Sequence, residues 1–227
     1  MKDHFLAKCV LEAYLPDNKN HRNPHIDGWK TYPVNYRSGR ACIFWNDEEI
    51  VVAIAGTNDW EDMKENLAFL KTSFMHCDVH EGFLKAYNDI ANILREKLVD
   101  LFKEKSRKIY LVGHSQGAAM VSFMATQISH DRCVLLGCPR VGDDEYVKYF
   151  NYHSPNSIAY INDQDWIPNV PKIGYGRIGK KIVFFGKHRE IRKTRRFSWK
   201  FIYRKITGAT DDHLSWSYFN CLRANDI

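Results

Sequence analysis

The stretch that decides the fold of this chain reads Ile109-Tyr110-Leu111-Val112-Gly113-His114-Ser115-Gln116-Gly117. An apolar run leads into the glycines, and the small, helix-compatible run 118–125 follows them. This pattern predicts a strand, a tight turn carrying Ser115, and a helix. Such a turn lifts the serine Oγ above the sheet and leaves no room for side chains at the flanking glycine positions. The helix behind it points free N–H groups at the place where negative charge develops during acyl transfer.

Strands and helices alternate on both sides of this turn. The predicted strands are 41–45, 50–55, 109–112, 133–137 and 158–161. The predicted helices are 2–15, 59–70, 81–104, 118–125, 144–150 and 213–222. Residues 16–32 are polar and predict a long surface loop. The alternation favours an α/β fold with a mostly parallel sheet and helices on both faces.

The composition is that of one globular domain, residues 1–227, with 44% apolar and 14% aromatic residues. No run reaches the about 18 apolar residues of a membrane helix, and the N-terminus has no secretory pattern, so we expect a cytoplasmic protein with at most peripheral membrane contact. The six cysteines form no C-x-x-C pair and predict buried free thiols. No zinc-ligand spacing and no phosphate-binding glycine loop is present, so we expect neither a metal nor a cofactor.

The net charge of +6 is distributed very unevenly. Residues 172–205 hold thirteen Lys or Arg and one acidic residue, Glu190, so this basic segment carries +12 and the remainder −6. Two interpretations stay open: a solvated face, or a surface that contacts anionic lipid. Nucleic acid, the competing polyanion, is not an expected partner. The aromatic residues of the basic segment are predicted to pack inward from strands, namely Phe184, Phe185, Phe197, Trp199, Phe201 and Tyr203.

A serine nucleophile in such a sheet needs an acid and then a histidine further along the chain. Asp163 and Asp165 both follow the strand 158–161, where catalytic loops of open α/β sheets lie. The residues alone do not choose between these two acids, because either one also suits a turn that caps the strand.

The candidate bases are His130, His153, His188 and His213. His130 is too close to Ser115, at the far end of the same predicted helix. His188 lies in the basic segment, where positive neighbours disfavour the imidazolium that a base must form. His213 follows polar residues at the start of the last helix, and it and His153 remain as candidates.

Several segments, in order, resemble the class 3 (fungal-type) lipases of the α/β-hydrolase superfamily. Val52-Ala53-Ile54-Ala55-Gly56-Thr57 resembles the strand that carries the family's oxyanion residue, and His80-Glu81-Gly82-Phe83 resembles its His-x-Gly-Phe. The elbow 113–117 and the segment Gly137-Cys138-Pro139-Arg140-Val141-Gly142 match next. Asp165-Trp166-Ile167-Pro168 and Asp212-His213 continue the pattern, so the resemblance covers roughly residues 40–220.

The resemblance implies a role for each matched residue. Ser115 is the nucleophile, Asp165 the acid and His213 the general base. Thr57 donates to the oxyanion through its backbone N–H and its hydroxyl, and Gln116 donates through its backbone N–H. The implied reaction is hydrolysis of carboxylic esters of acyl lipids, acylglycerol or phospholipid, without cofactor or metal.

The resemblance also implies a lid over residues 58–79, which are rich in large apolar side chains. The chain departs from the family's usual residues at Ala55, where Arg is common, and at Ala118, where a second Gly is common. His80, His114 and Arg140 are interpreted as residues that pack or hydrogen-bond locally. The alternative function is a catalytically weak module that binds anionic lipid or nucleic acid through the basic segment.

Overall fold

An eight-stranded mixed sheet is the central element of the residues that the computed structural model describes, which are 1–15, 23–37, 39–57, 70–186, 189–192 and 213–227. The strands are β1 (Lys30–Tyr36), β2 (Gly39–Trp45), β3 (Glu49–Ala55), β4 (Lys71–Phe74), β5 (Cys77–His80), β6 (Lys108–His114), β7 (Arg132–Leu136), β8 (Ser157–Asn162), β9 (Lys181–Phe185) and β10 (Ile191–Arg192). Their order across the sheet is β1-β2-β3-β6-β7-β8-β9-β10, and β4 and β5 form a separate hairpin. From β3 to β9 all neighbours are parallel, which confirms the predicted mostly parallel sheet.

Helices cover both faces of this sheet, as predicted. They are α1 (Asp3–Ala13), α2 (Glu81–Glu104), α3 (Gln116–Ala125), α4 (Asp144–His153) and α5 (Ser215–Ala224), with a 3₁₀ turn at Ile167–Asn169. The apolar residues of α1 and α5 pack on one face, and those of α2, α3 and α4 pack on the other. Each helix thereby buries its apolar stripe against the sheet.

Strand β3 shows why the sequence reads as continuous apolar runs. Its residues Ile50, Val52 and Ile54 belong to the core layer beneath α2 and α3. The alternate residues Val51, Ala53 and Ala55 belong to the layer beneath α1 and α5. Because successive side chains point to opposite faces, a strand covered on both sides is apolar at every position.

The prediction of a surface loop over residues 16–32 is wrong for its last three residues, because β1 begins at Lys30. This strand lies at the edge of the sheet, and of its seven residues only Val34 is buried. It also contains Pro33, which an edge strand tolerates because one side of it needs no ladder N–H. The last helix, α5, begins at Ser215, two residues after the predicted start.

Some predictions concern residues outside the described ranges. These are residues 16–22 of the predicted loop, most of the predicted helix 59–70, the lid residues 58–69, residues 187–188 and 193–205 of the basic segment, and Asp212. The rest of the predicted lid forms the hairpin of β4 and β5. Phe184 and Phe185 lie in β9, and Phe185 is buried as predicted.

All six cysteines are buried and unpaired, which confirms the predicted free thiols. Within the described ranges, no group of His, Cys, Asp and Glu is arranged to hold a metal ion. No helix in that part of the chain combines the length and the apolar character of a membrane span.

Candidate active site

Ser115 occupies the sharp turn between β6 and α3. Its backbone is strained, with φ 56° and ψ −127°, as expected of a nucleophile elbow. A Cβ on Gly113 would lie 2.3 Å from the Gly117 carbonyl oxygen, and one on Gly117 would lie 2.3 Å from the Ile54 carbonyl oxygen. Both contacts are with backbone that has no room to move, so the turn requires glycine at both positions.

The structure brings Ser115, His213 and Asp165 into one hydrogen-bonded chain. The Ser115 Oγ lies 2.7 Å from His213 Nε2, and His213 Nδ1 lies 2.7 Å from Asp165 Oδ2. A carboxylate accepts from Nδ1–H, which leaves the Nε2 lone pair free to accept the serine proton. All three residues are buried, with Ser115 only 2% exposed. This is the geometry of a serine activated by an oriented base.

Further hydrogen bonds hold the Asp165 carboxylate in place. The Ile167 N–H donates to Oδ1 at 2.9 Å, and the Tyr218 hydroxyl donates to Oδ2 at 2.6 Å. The Tyr218 oxygen in turn accepts the Asn162 N–H at 3.1 Å. Tyr218 therefore supports the acid from α5, a role that no local sequence signal indicates.

Asp163, the other candidate acid, points away from His213. Its carboxylate accepts from Arg192 Nη1 at 2.8 Å, and its N–H donates to the Phe185 carbonyl at 2.8 Å. Phe185 lies in β9 and Arg192 in β10, so Asp163 connects the end of β8 to the last two strands of the sheet.

Two other candidate bases, His130 and His153, have partners other than Ser115. His130 contacts the Ile128 carbonyl at 3.0 Å and Ser154 Oγ at 2.8 Å. His153 is exposed at the end of α4, where its Nδ1 lies 2.9 Å from the Tyr149 carbonyl. His188 lies outside the described residues.

The two predicted oxyanion donors flank the serine. Gln116 is the first residue of α3, and its N–H belongs to the helix start, where backbone donors have no intrahelical acceptor. Thr57 follows Gly56 just beyond the end of β3. A Cβ placed on Gly56 would lie 2.8 Å from Ser115 Cβ, so this strand end lies directly beside the nucleophile. The positions suit donors that converge on an oxygen next to Ser115.

Arg140 and His80 have local structural contacts, as interpreted. Arg140 Nη1 donates to the Tyr175 carbonyl at 2.9 Å and fixes the loop after β7. The His80 ring stacks on Phe83 with ring centroids 4.2 Å apart, and burial lowers the pKa of His80 to about 4. This imidazole is therefore neutral at neutral pH and packs as an aromatic ring.

The family described as lipase (class 3) matches this chain over residues 51–175. A secreted mono- and diacylglycerol lipase of Malassezia globosa is 30% identical over 151 residues, which cover 56% of this chain and 48% of that protein. A phospholipase A1-II of Oryza sativa subsp. japonica is 31% identical over 110 residues, covering 44% of this chain and 28% of that protein. The chain thus matches about half or less of the length of these curated relatives.

Solved structures of fungal lipases share the fold. The triacylglyceride lipase of Rhizomucor miehei superposes with a TM-score of 0.71 at 20% identity, covering 93% of this chain and 91% of that one. A lipase of Rhizopus microsporus var. chinensis gives 0.68 at 17% identity, covering 85% and 79%. The predicted α/β-hydrolase fold is thereby confirmed. Because the family match spans more than half of its residues, this chain belongs to the class 3 lipase family.

Proposed function

We propose that this protein hydrolyses carboxylic esters of acyl lipids through Ser115, His213 and Asp165. The observation that carries the proposal is the continuous hydrogen-bonded chain from the serine Oγ to the buried carboxylate. Ser115 Oγ bonds to the ester carbonyl carbon while its proton passes to His213 Nε2. The tetrahedral intermediate then expels the alcohol, which takes that proton. Water attacks the acyl-enzyme with the same base and releases the carboxylic acid.

The surroundings of the base support an acyl-lipid substrate. Leu214 and Trp216 lie within three residues of His213 and are more than half exposed. Ile173 is 86% exposed and lies beyond the 3₁₀ turn that follows Asp165. Exposed apolar side chains that follow the acid and the base along the sequence favour apolar ligands or a lipid surface. The relatives, named for mono- and diacylglycerol lipase and phospholipase A1 activity, point to the same class of substrate.

A substrate panel tests this proposal. Initial rates are measured on short-chain nitrophenyl esters, emulsified diacylglycerol and triacylglycerol, and phospholipid vesicles. We expect turnover of at least one glycerolipid, together with labelling by a fluorophosphonate. A protein that is neither labelled nor active on any of these esters would instead be the binding module of the alternative hypothesis.

Replacing Thr57 with Val should lower kcat by about 10²- to 10³-fold, because the hydroxyl would no longer donate to the oxyanion. The KM for a soluble nitrophenyl ester should change little, since that hydrogen bond forms mainly in the transition state. The matched control is Thr57→Ser, which keeps the hydroxyl and should retain most of the activity. A loss below about threefold in Thr57→Val would assign the oxyanion contact at this position to the backbone N–H alone.

We further propose that the basic segment directs the enzyme to anionic lipid surfaces. Among its described residues, Arg177 and Arg192 are occupied by contacts within the protein. Lys172, Lys180, Lys181 and Arg189 are exposed instead. Lys172 lies beside Ile173, and its carbonyl accepts from Arg140 just beyond the C-terminal end of β7, the end of the sheet that carries the triad. Lys181 begins β9 and therefore lies at the opposite ends of the parallel strands. Of these three lysines, Lys172 is the one whose position suits a surface that also delivers substrate to Ser115.

Vesicle co-sedimentation tests the membrane proposal. We expect binding to anionic vesicles that weakens with salt, and weak binding to neutral vesicles. Lys172→Glu should weaken binding several-fold, because each lysine near an anionic surface contributes about 1 kcal/mol. The double variant Lys180→Glu, Lys181→Glu is the control on the far edge and should bind normally. Equal binding to both kinds of vesicle, or displacement by duplex DNA alone, would reject the proposal.

A further inference from the structure

The hydroxyl of Tyr14 lies between two loops of the active site. Tyr14 directly follows the last residue of α1, on the face of the sheet opposite α3. Its oxygen accepts the Gly56 N–H at 2.8 Å and lies 2.7 Å from His114 Nδ1. Gly56 precedes Thr57, and His114 precedes Ser115. One hydroxyl on the first helix thus contacts both the oxyanion strand end and the nucleophile elbow.

His114 continues this series of hydrogen bonds to His213, the proposed base. Its Nε2 lies 2.5 Å from the backbone carbonyl oxygen of His213. A carbonyl only accepts, so Nε2 carries the proton and Nδ1 offers a lone pair to the Tyr14 hydroxyl. Every direction is therefore fixed, from the Gly56 N–H to the Tyr14 oxygen, from the Tyr14 O–H to Nδ1, and from Nε2–H to the carbonyl of His213.

Burial keeps the His114 ring and the Tyr14 hydroxyl each in one protonation state. His114 is 3% exposed, and burial, reinforced by the nearby His213, holds its pKa well below the ordinary value. A neutral imidazole has one donor and one acceptor, which is the pattern that its two partners require. Burial likewise raises the pKa of the Tyr14 hydroxyl, so Tyr14 keeps the proton that it donates.

We propose that Tyr14 is a positioning residue, which fixes the oxyanion strand end and the loop of the catalytic base relative to each other through His114. This inference rests on the proposed hydrolase function. Thr57 must meet the oxyanion while His213 faces Ser115, and misplacement by about 1 Å costs up to about 10²-fold in rate. Thr57 follows the end of β3, whereas His213 lies just before α5, and the hydrogen bonds of Tyr14 and His114 connect these two segments.

The Tyr14 hydroxyl is separate from the contacts that anchor α1 itself. At the start of the helix, the buried Asp3 carboxylate accepts from Arg132 Nε and Nη2, each at 2.7 Å. The Tyr160 hydroxyl donates to the same carboxylate at 2.6 Å. Cys9, Val10 and Ala13 are fully buried along the helix. Removing the Tyr14 hydroxyl therefore leaves α1 docked and breaks only the chain that it forms with Gly56 and His114.

Kinetics of Tyr14→Phe test the proposal on a soluble nitrophenyl ester. We expect kcat to fall by about 10- to 100-fold with KM almost unchanged, because the altered geometry acts in the transition state. Tyr160→Phe is the matched control, since it removes a buried hydroxyl of β8 that contacts Asp3 at the other end of α1. It should lower thermal stability at least as much and leave kcat within about twofold. A wild-type kcat in Tyr14→Phe, or an equal loss in both variants, would overturn the proposal.

A second measurement needs no turnover. In NMR spectra of the uniformly ¹⁵N-labelled whole protein, the His114 ring should appear as the Nε2–H tautomer. Tyr14→Phe should shift the Gly56 amide proton and the His213 Nδ1 proton, and Tyr160→Phe should leave both unchanged. Unshifted resonances in Tyr14→Phe would overturn the positioning role, whatever the activity. Wild-type protein without turnover or labelling, but with these shifts, would overturn only the proposed hydrolase function.

Discussion

Ser115→Ala should lower ester turnover by about 10⁴-fold or more, because the variant has no atom to form the acyl-enzyme. The fold should persist, since the Ser115 N–H still donates to the Leu136 carbonyl and alanine has the same Cβ. Oγ makes one hydrogen bond of the triad, with His213, and its loss should shift the melting temperature only slightly. Initial rates, fluorophosphonate labelling and circular dichroism measure the three effects.

Ser122→Ala is the matched control for this variant. Ser122 is also a buried serine, located in α3, and its hydroxyl contacts the Ala119 carbonyl at 2.6 Å and the Tyr146 hydroxyl at 2.8 Å. That variant should keep both labelling and turnover, with reduced stability from the lost buried hydrogen bonds. Folded Ser115→Ala protein that hydrolyses esters at the wild-type rate would disprove the nucleophile assignment.

The sharp turn that carries Ser115 was predictable because its signal is local. A serine on a strand-to-helix turn requires small neighbours, and Gly113 and Gly117 stand within two residues of it. The helices α2 and α3 were equally predictable from their apolar spacing and small residues. In each case the physical constraint acts between residues close in sequence.

The choice between Asp163 and Asp165 was not predictable from the residues alone. Both follow β8, but the Asp163 N–H continues the ladder to Phe185, whereas the Asp165 N–H turns back to the Asn162 carbonyl. This local turn directs the two carboxylates to different partners. The family resemblance was needed to choose Asp165.

The supporting residues Tyr14 and Tyr218 left no signal, because their contacts are remote in sequence. Tyr14 and His114 are in contact but lie 100 residues apart in sequence, and Tyr218 and Asp165 lie 53 residues apart. The β4–β5 hairpin was missed for another reason. Its turn places Met75 and His76 at φ 50° and 66°, where glycine or asparagine is the usual indicator.

Asp165→Asn should lower kcat by about 10⁴-fold, because the neutral His213 ring would carry its proton on Nε2 instead of Nδ1. The Ile167 N–H donates to Oδ1, so the amide oxygen of the new side chain will take that position. The amide NH₂ then replaces Oδ2 and donates toward His213 Nδ1. An imidazole that accepts at Nδ1 carries its proton on Nε2, and it cannot accept the proton of Ser115.

Asp163→Asn is the matched control, since it makes the same change two residues away. Asp163 is buried and paired with Arg192, so the variant should lose about 1–3 kcal/mol of stability. Its kcat should stay within about tenfold of wild type, because no hydrogen bond of the triad is altered. The two variants thus separate a loss of stability from a loss of the catalytic tautomer, provided that rates are measured on folded protein. A greater fall of kcat in Asp163→Asn would mean that the wrong carboxylate has been assigned to His213, despite the 2.7 Å contact with Asp165.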